Sequence, residues 1–483
     1  MALAPLLVSL QRTTLRDAFF QGLLTGLIYF TGTLYWIANV MAVYGGLPMP
    51  VAVLINGLLI AYLSLFPAVF AMVVSRFALV IGPRSLLLAP FVWVATELGR
   101  MYFMTGFPWV LLGYSQVTVL PVAQFASIAG VFGLSGLVAA MSAALAYAAV
   151  SGRLSEVTVM RRGSVFAPYR PLVLVTGLVL ALGSWGAVRI RGGELNRAGD
   201  AVTVGLIQGN VDQADKWDPA RASVIFRQYL EMTRRAIGKG AQVVLWPESS
   251  TPFFFEEDRP GAEMVRAIAR ESKVPILLGS DQIDRSTTPP SYFNSAFLLR
   301  SDGSTGGVNR KTHLVPFGEY VPLKNLLFFA SRLVENVSDF SAGDAAVLLP
   351  VRGHLVSTAI CYEIVYPNLV RQAASSSELI TTITNDAWFG RTSAPYQHFA
   401  QASMRAIENG RYLVRSANTG ISGIVDPYGR VLARTNVFEP AVVVGEARFI
   451  RTQTVYARVG DVFANLSALV TLAGLLLVRR RVE

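Results

Sequence analysis

The chain has 483 residues, 53% of them hydrophobic and only 15% charged, with a mean hydropathy of +0.46 and a formal net charge of +11. That balance excludes an ordinary soluble domain and points to a membrane protein. A single cysteine excludes an internal disulfide and a cysteine-rich metal site.

The apolar residues are unevenly spread. Residues 1–188 hold no lysine and three acids, Asp17, Glu97 and Glu156. About 20 apolar residues cross a bilayer core as a helix, and spans are expected at 17–41, 50–74, 85–101, 122–150, 171–188 and 462–478. The 85–101 span is the weakest, since it ends in Glu97 and Arg100. The run Ala2–Leu10 is too short to cross and lacks the basic leader and cleavage site of a signal peptide.

Positive charge orients such spans. Arg12 and Arg16, Arg76 and Arg84, Arg153 to Arg170, and Arg479 to Arg481 fall on one side of a six-span arrangement, whereas the uncharged link 42–49 falls on the other. The domains expected are N-terminal membrane helices at 1–189, an extracytoplasmic domain at 190–460, and a last helix with a basic cytoplasmic tail at 461–483. Much of the +11 is then topology signal, and no basic groove interleaved with aromatics suggests nucleic acid. The aromatic stretch 102–118, with Trp109, reads either as an interfacial belt or as a wall for an entering lipid chain.

From 201 the pattern changes. Strands are expected at 201–208, 242–246, 274–278, 294–300, 355–360, 379–384, 412–416, 423–425 and 441–444. Helices are expected at 219–237, 261–272 and around 396–409. Strands alternating with helices indicate a layered α/β domain, with chemistry at strand ends.

Three residues stand at such ends or in loops. Glu248 closes Val243-Val244-Leu245-Trp246-Pro247, Lys311 lies in Asn309-Arg310-Lys311-Thr312-His313, and Cys361 ends Leu355–Ile360. Each has a plain structural reading: a helix-start acid, a surface charge, a packed thiol. Together they suffice for acyl transfer through a thioester without metal or histidine. A desolvated carboxylate, its pKa raised by burial, serves as base, the thiol is the nucleophile, and lysine with a backbone N–H stabilises the oxyanion. His313, His354 and His398 lack metal-ligand spacing and read as structural or surface residues. Ser249 and Ser250 read as turn residues.

The strings Trp246-Pro247-Glu248, Lys311 ahead of His313-Leu314-Val315-Pro316-Phe317-Gly318-Glu319, and Ile360-Cys361-Tyr362-Glu363 resemble the nitrilase superfamily in order and spacing. Lys216-Trp217-Asp218, Phe317 to Pro322, Asn385-Asp386-Ala387-Trp388-Phe389-Gly390, Thr105-Gly106-Phe107-Pro108-Trp109 and Tyr456 to Asp461 resemble its branch fused to membrane helices, the apolipoprotein N-acyltransferases. The resemblance runs over nearly the whole chain. It implies an αββα sandwich beside a multi-span membrane domain, in a bacterial inner membrane with the sandwich on the periplasmic side. That family typically has eight spans, so its first helix is expected to be missing here and its second shortened to 2–10.

The activity implied is transfer of an acyl chain from a phospholipid to the N-terminal amine of a diacylglyceryl-cysteine apolipoprotein, with no cofactor and no metal. Cys361 is then the nucleophile, Glu248 the base, and Lys311 the oxyanion partner, with the Tyr362 backbone N–H. Trp217, Glu319, Tyr362 and Glu363 match further family positions for orientation and substrate contact; Asp386 and Trp388 read as pocket-lining, core or turn residues. The apolar stretch 323–340 is a core helix or a mobile arm whose Leu327, Phe328 and Phe329, along with Trp109, meet entering lipid. Two competing readings stand: a membrane-tethered amidase that uses water as acceptor, and a transporter or receptor without catalysis.

Overall fold

The computed structural model describes residues 2–157, 167–216, 218–320 and 340–479. Trp217 and the proposed arm residues Leu327, Phe328 and Phe329 therefore lie outside the described residues. The chain divides into two compact units. One comprises Met1–Ala38, Pro50–Gly192 and Val459–Glu483, and the other Asn39–Met49 with Gly193–Arg458.

The first unit is helical. Among the described residues, four stretches are long and apolar enough to cross a membrane: Met49–Leu87, Ala126–Gly152, Ala167–Asn196 and Val462–Arg479. A bent pair, Leu15–Leu34 and Trp36–Val43, broken by 52°, supplies a fifth if it counts as one span. Small residues set the packing. Ala18, Gly22 and Gly26 are spaced by four along the first helix of that pair and are buried. A Cβ on Gly22 would lie 2.4 Å from the Pro67 carbonyl oxygen, and one on Gly26 would lie 2.7 Å from Ser64. The backbones thus approach as small-xxx-small helices do in lipid. Phe20, Leu24 and Ile28 are more than half exposed, as suits a face that meets acyl chains.

The expected span at 85–101 is corrected by the structure. Its helix, Ala89–Tyr102, has 14 residues. At 1.5 Å per residue that is about 21 Å, short of a bilayer core of about 30 Å. Glu97 and Arg100 do not end a span at the surface; both are 3% exposed. They hold the irregular backbone that follows. Arg100 Nη1 donates to the carbonyls of Trp109 (2.8 Å) and Phe107 (3.3 Å), Glu97 Oε1 accepts from Leu112 N (2.7 Å), and Tyr29 Oη donates to Val110 O (2.8 Å). Non-helical backbone inside an apolar bundle survives only where such partners are supplied.

The turn into this stretch depends on Gly106, at φ 83°, where a Cβ would lie 1.9 Å from the Met101 carbonyl oxygen. Gly106→Ala is therefore expected to cost about 3 kcal/mol or more. The check is apparent Tm and monodisperse yield in detergent; a Tm unchanged within about 2 °C contradicts it.

The second unit contains two six-stranded sheets. The first is ordered β12-β1-β2-β3-β4-β5 and the second β11-β10-β9-β8-β7-β6. The strands are β1 (Asp200–Gln208), β2 (Val243–Leu245), β3 (Ile276–Asp284), β4 (Ser291–Leu299), β5 (Thr305–Arg310), β6 (Leu349–Val351), β7 (His354–Ile360), β8 (Leu379–Thr384), β9 (Leu413–Ala417), β10 (Gly423–Val425), β11 (Val431–Arg434) and β12 (Ala441–Phe449). Each sheet has three parallel strands, β1-β2-β3 and β7-β8-β9, flanked by antiparallel neighbours.

Alternation along the strands makes two cores. Val204, Leu206, Leu245, Leu277 and Leu298 face Val356, Ile360, Ile383 and Val414 across the sheets. Ile207, Val244, Ile276, Leu278 and Phe297 turn the other way, onto Phe226, Tyr229, Leu230, Val265 and Ile268 of the helices Pro219–Gly238 and Arg259–Ser272. Those helices start where proline follows a capping aspartate: Asp218 accepts from Ala220 N and Asp258 from Gly261 N. Pro367–Ala374 and Ala394–Asn409 pack on the second sheet, and the layers are helix, sheet, sheet, helix.

Candidate active site

Glu248 and Cys361 follow the parallel strands β2 and β7, and Lys311 follows the antiparallel edge strand β5. Glu248 follows β2 after Trp246-Pro247, and Ser249 then turns the chain at φ 43°. Gly279 on β3 makes room, since a Cβ there would lie 2.4 Å from the Pro247 carbonyl oxygen and 2.6 Å from Glu248 Cα. Lys311 follows β5, its backbone held on both sides by Asn294 O (2.8 Å) and Gly343 N (2.8 Å). Cys361 ends β7 at φ 52° and opens the 3₁₀ turn Cys361–Val365.

The three are buried together: Glu248 is 5% exposed, Lys311 1% and Cys361 8%. Lys311 Nζ lies 2.8 Å from Glu319 Oε1 and 3.4 Å from Glu248 Oε1, a cation between two carboxylates. Asn294 Nδ2 bridges the same two, 2.6 Å from Glu248 Oε1 and 3.1 Å from Glu319 Oε1. Asn385 N donates to Glu248 Oε2 (2.8 Å), and Val315 N donates to Glu319 Oε2 (2.8 Å). A second buried lysine, Lys216, reaches the Glu248 carbonyl at 3.4 Å.

Charge states follow from these contacts. Burial pushes the Glu248 carboxyl up, but Lys311, Lys216 and the Asn294 and Asn385 donors outweigh it, so the group sits below its usual range. The upward shift expected from desolvation alone is therefore overturned by two neighbouring cations. Lys311 is disfavoured as a cation by burial, yet Glu319 and Glu248 raise it above its usual value and it stays protonated. The Cys361 thiol is pushed well above the usual thiol range, first by burial and then by the Glu248 charge, with Lys311 offsetting part. The resting site is thus carboxylate, ammonium and thiol, within electrostatic reach of one another.

Glu363 is 4% exposed and acts as a staple. Oε1 accepts from Thr312 N (2.7 Å), Thr312 Oγ1 (2.8 Å) and His313 N (3.2 Å), while Oε2 accepts from Ile360 N (2.7 Å). It fixes the loop carrying Lys311 to the strand end carrying Cys361. Tyr362 is buried, its hydroxyl accepting from Tyr366 Oη (3.2 Å), and His313 lies 4.0 Å from the Tyr366 ring. Trp388 is 38% exposed and packs 5.2 Å from the Tyr44 ring, whose hydroxyl donates to Ala387 O (2.8 Å). Trp109 lies in the helical unit, 1% exposed and 5.3 Å from Trp36. Ser249 Oγ donates to Asp281 and Ser250 Oγ to Gly279 O, as turn residues do.

Asn294, Asn385 and Lys216 are site residues that the sequence reading missed. Asn294 is set by the register that pairs β4 with β3 and β5. The cue for Lys216 was its place beside Trp217 in a quoted motif.

Residues 203–456 match the family described as carbon-nitrogen hydrolase, and residues 1–144 match the apolipoprotein N-acyltransferase N-terminal domain. The chain is 40% identical to the apolipoprotein N-acyltransferase of Geobacter metallireducens, over 96% of this chain and 87% of that one. It is 33% identical to that of Methylococcus capsulatus, over 95% and 87%. Among solved structures, an amidase from Nesterenkonia sp. is 21% identical with a TM-score of 0.41, covering 56% of this chain and 97% of its own.

Proposed function

We propose, for a chain that belongs to the apolipoprotein N-acyltransferases within the carbon-nitrogen hydrolases, that the buried cluster at Cys361 moves an acyl chain from a membrane phospholipid onto the amine of a diacylglyceryl-cysteine apolipoprotein. The observation that carries this reading is Lys311 clamped between Glu248 and Glu319 beside the chain's one thiol.

Glu248 takes the Cys361 proton, and the sulfur attacks the ester carbonyl of the phospholipid. The C–S bond forms, and Lys311 with the Tyr362 backbone N–H faces the negative charge that develops on the carbonyl oxygen. The ester C–O bond breaks, and the Glu248 proton leaves on the lysophospholipid hydroxyl. The amine then attacks the thioester and gives its proton to Glu248. The C–S bond breaks, the sulfur takes the proton back, and an amide is released. One site serves both substrates in turn, so ping-pong kinetics are expected.

Glu319 and Glu363 orient Lys311 and the Cys361 turn, and Trp388 meets substrate at the rim. The membrane helices bring the site to its lipid partners. The bacterial inner membrane and the periplasmic side of the second unit are supported by the family.

The test is mass spectrometry of intact enzyme after incubation with phospholipid alone. A fatty-acyl adduct on Cys361 is expected; a thiol left unmodified by phospholipid favours the water-using amidase instead. Lys311→Ala is expected to slow adduct formation about 100-fold or more in single-turnover measurements. A near-normal rate removes Lys311 from the chemistry.

A further inference from the structure

His398 is fully buried, on the helix Ala394–Asn409, in a layer none of the steps above uses. Its Nε2 lies 3.2 Å from the carbonyl oxygen of Cys361. On its other side Nδ1 lies 3.0 Å from Arg415 Nη2 and 3.0 Å from Asp386 Oδ1. Arg415 Nη2 is also 2.8 Å from Asp386 Oδ2, and Thr384 Oγ1 donates to Asp386 Oδ1 (2.9 Å). All of these side chains are buried.

The hydrogens can be assigned. A carbonyl oxygen only accepts, so Nε2 carries a proton. Arg415 Nη2 has two hydrogens, one for Asp386 Oδ2 and one for His398 Nδ1. Burial first, and then the Arg415 charge, disfavour a second proton on the imidazole, and they outweigh the Asp386 charge and its Oδ1 at Nδ1, so the group sits below the usual histidine range.

The carbonyl so held belongs to a residue in the left-handed region, which side chains with a Cβ rarely adopt. At Cys361 the chain leaves the β7 direction and enters the 3₁₀ turn. That carbonyl opens the 3₁₀ turn Cys361–Val365, and the imidazole adds a side-chain donor to it from another element.

We infer that His398 is a positioning residue for acyl transfer: it donates from Nε2 to the Cys361 carbonyl, with Arg415 facing Nδ1, and so holds the thiol in its left-handed turn. The inference rests on the reading of Cys361 as nucleophile.

The experiment compares His398→Asn with His398→Gln in full-length, detergent-solubilised enzyme. Gln places its Nε2 donor where the imidazole Nε2 stands, whereas Asn reaches only the Nδ1 position. His398→Asn is expected to lower kcat about 30- to 100-fold, with KM for phospholipid unchanged within about threefold, and to slow iodoacetamide labelling of Cys361 in parallel. His398→Gln should recover at least about tenfold of that loss. An Asn variant as active as wild type, or Asn and Gln variants equally impaired, overturns the inference. Cys361→Ala that keeps activity overturns instead the reading on which it rests.

A second measurement needs no folded His398 variant. In wild-type enzyme with ¹⁵N-labelled histidine at pH 7.5, with the His313 and His354 signals assigned by their own substitutions, His398 should show a proton on Nε2 and none on Nδ1. The opposite tautomer leaves no donor for Cys361 and refutes the proposal.

Discussion

Cys361→Ser is expected to leave acyl transfer roughly 10⁴-fold or more below wild type. The cause is the proton rather than the shape. Burial and the Glu248 charge already push the Cys361 thiol well above its usual range, so the thiolate forms only as Glu248 takes the proton. A serine hydroxyl is intrinsically several units less acidic and a weaker nucleophile, and the same carboxylate, held low by Lys311 and Lys216, is too weak a base for it. The assay is transfer of a labelled acyl chain to a synthetic diacylglyceryl-cysteine peptide. Turnover within about tenfold of wild type would remove Cys361 from the bond-making step.

Glu248→Gln should lower acylation about 10³-fold, with a distinct pH signature. The amide keeps the size of the side chain and acceptor capacity for the Asn385 N–H, but it cannot take a proton. It also removes a negative charge that raises the Cys361 pKa, so in the variant that pKa falls. With no internal base, the rate must follow the thiolate fraction, rising about tenfold per pH unit below the thiol pKa. In wild type, Glu248 is ionised throughout the neutral range and no such slope is expected. Single-turnover adduct formation from pH 6 to 9 checks both. A variant whose rate is flat with pH would show that the base lies elsewhere.

How much of this was legible depended on whether the signal was local. The strand 379–384 was expected with the bounds observed, because Leu379 opens a run of β-branched residues, Ile380 to Thr384, and the whole segment is buried on both faces. The helices expected at 219–237 and 261–272 are found at Pro219–Gly238 and Arg259–Ser272, because helical spacing of apolar residues is a local signal. Strands β5, β6 and β11 were missed. Gly306 and Gly307 interrupt the first, the second is three residues long, and the third is mostly exposed.

The membrane unit misled for a related reason. Glu97 and Arg100 look like the end of a span by hydropathy, yet they serve carbonyl and N–H groups 7 to 15 positions further on, which no window average sees. In the site, Glu248, Lys311 and Cys361 stood out at strand ends. Asn294 and His398 did not, because each acts through a partner 17 to 46 residues away: Asn294 on Glu248, and His398 on Cys361 and Arg415.

The first sheet opens with β1 and is completed by β12, with Asp200 opposite Phe449. Between those two residues the ribosome must make every strand of both sheets. A nascent chain stalled before β12 leaves the edge of β1 open and the sandwich unfinished. A chain cut short near residue 440 therefore lacks the strand that completes the first sheet, and it is expected to be inert in the proposed transfer even though Glu248, Lys311 and Cys361 had all been translated.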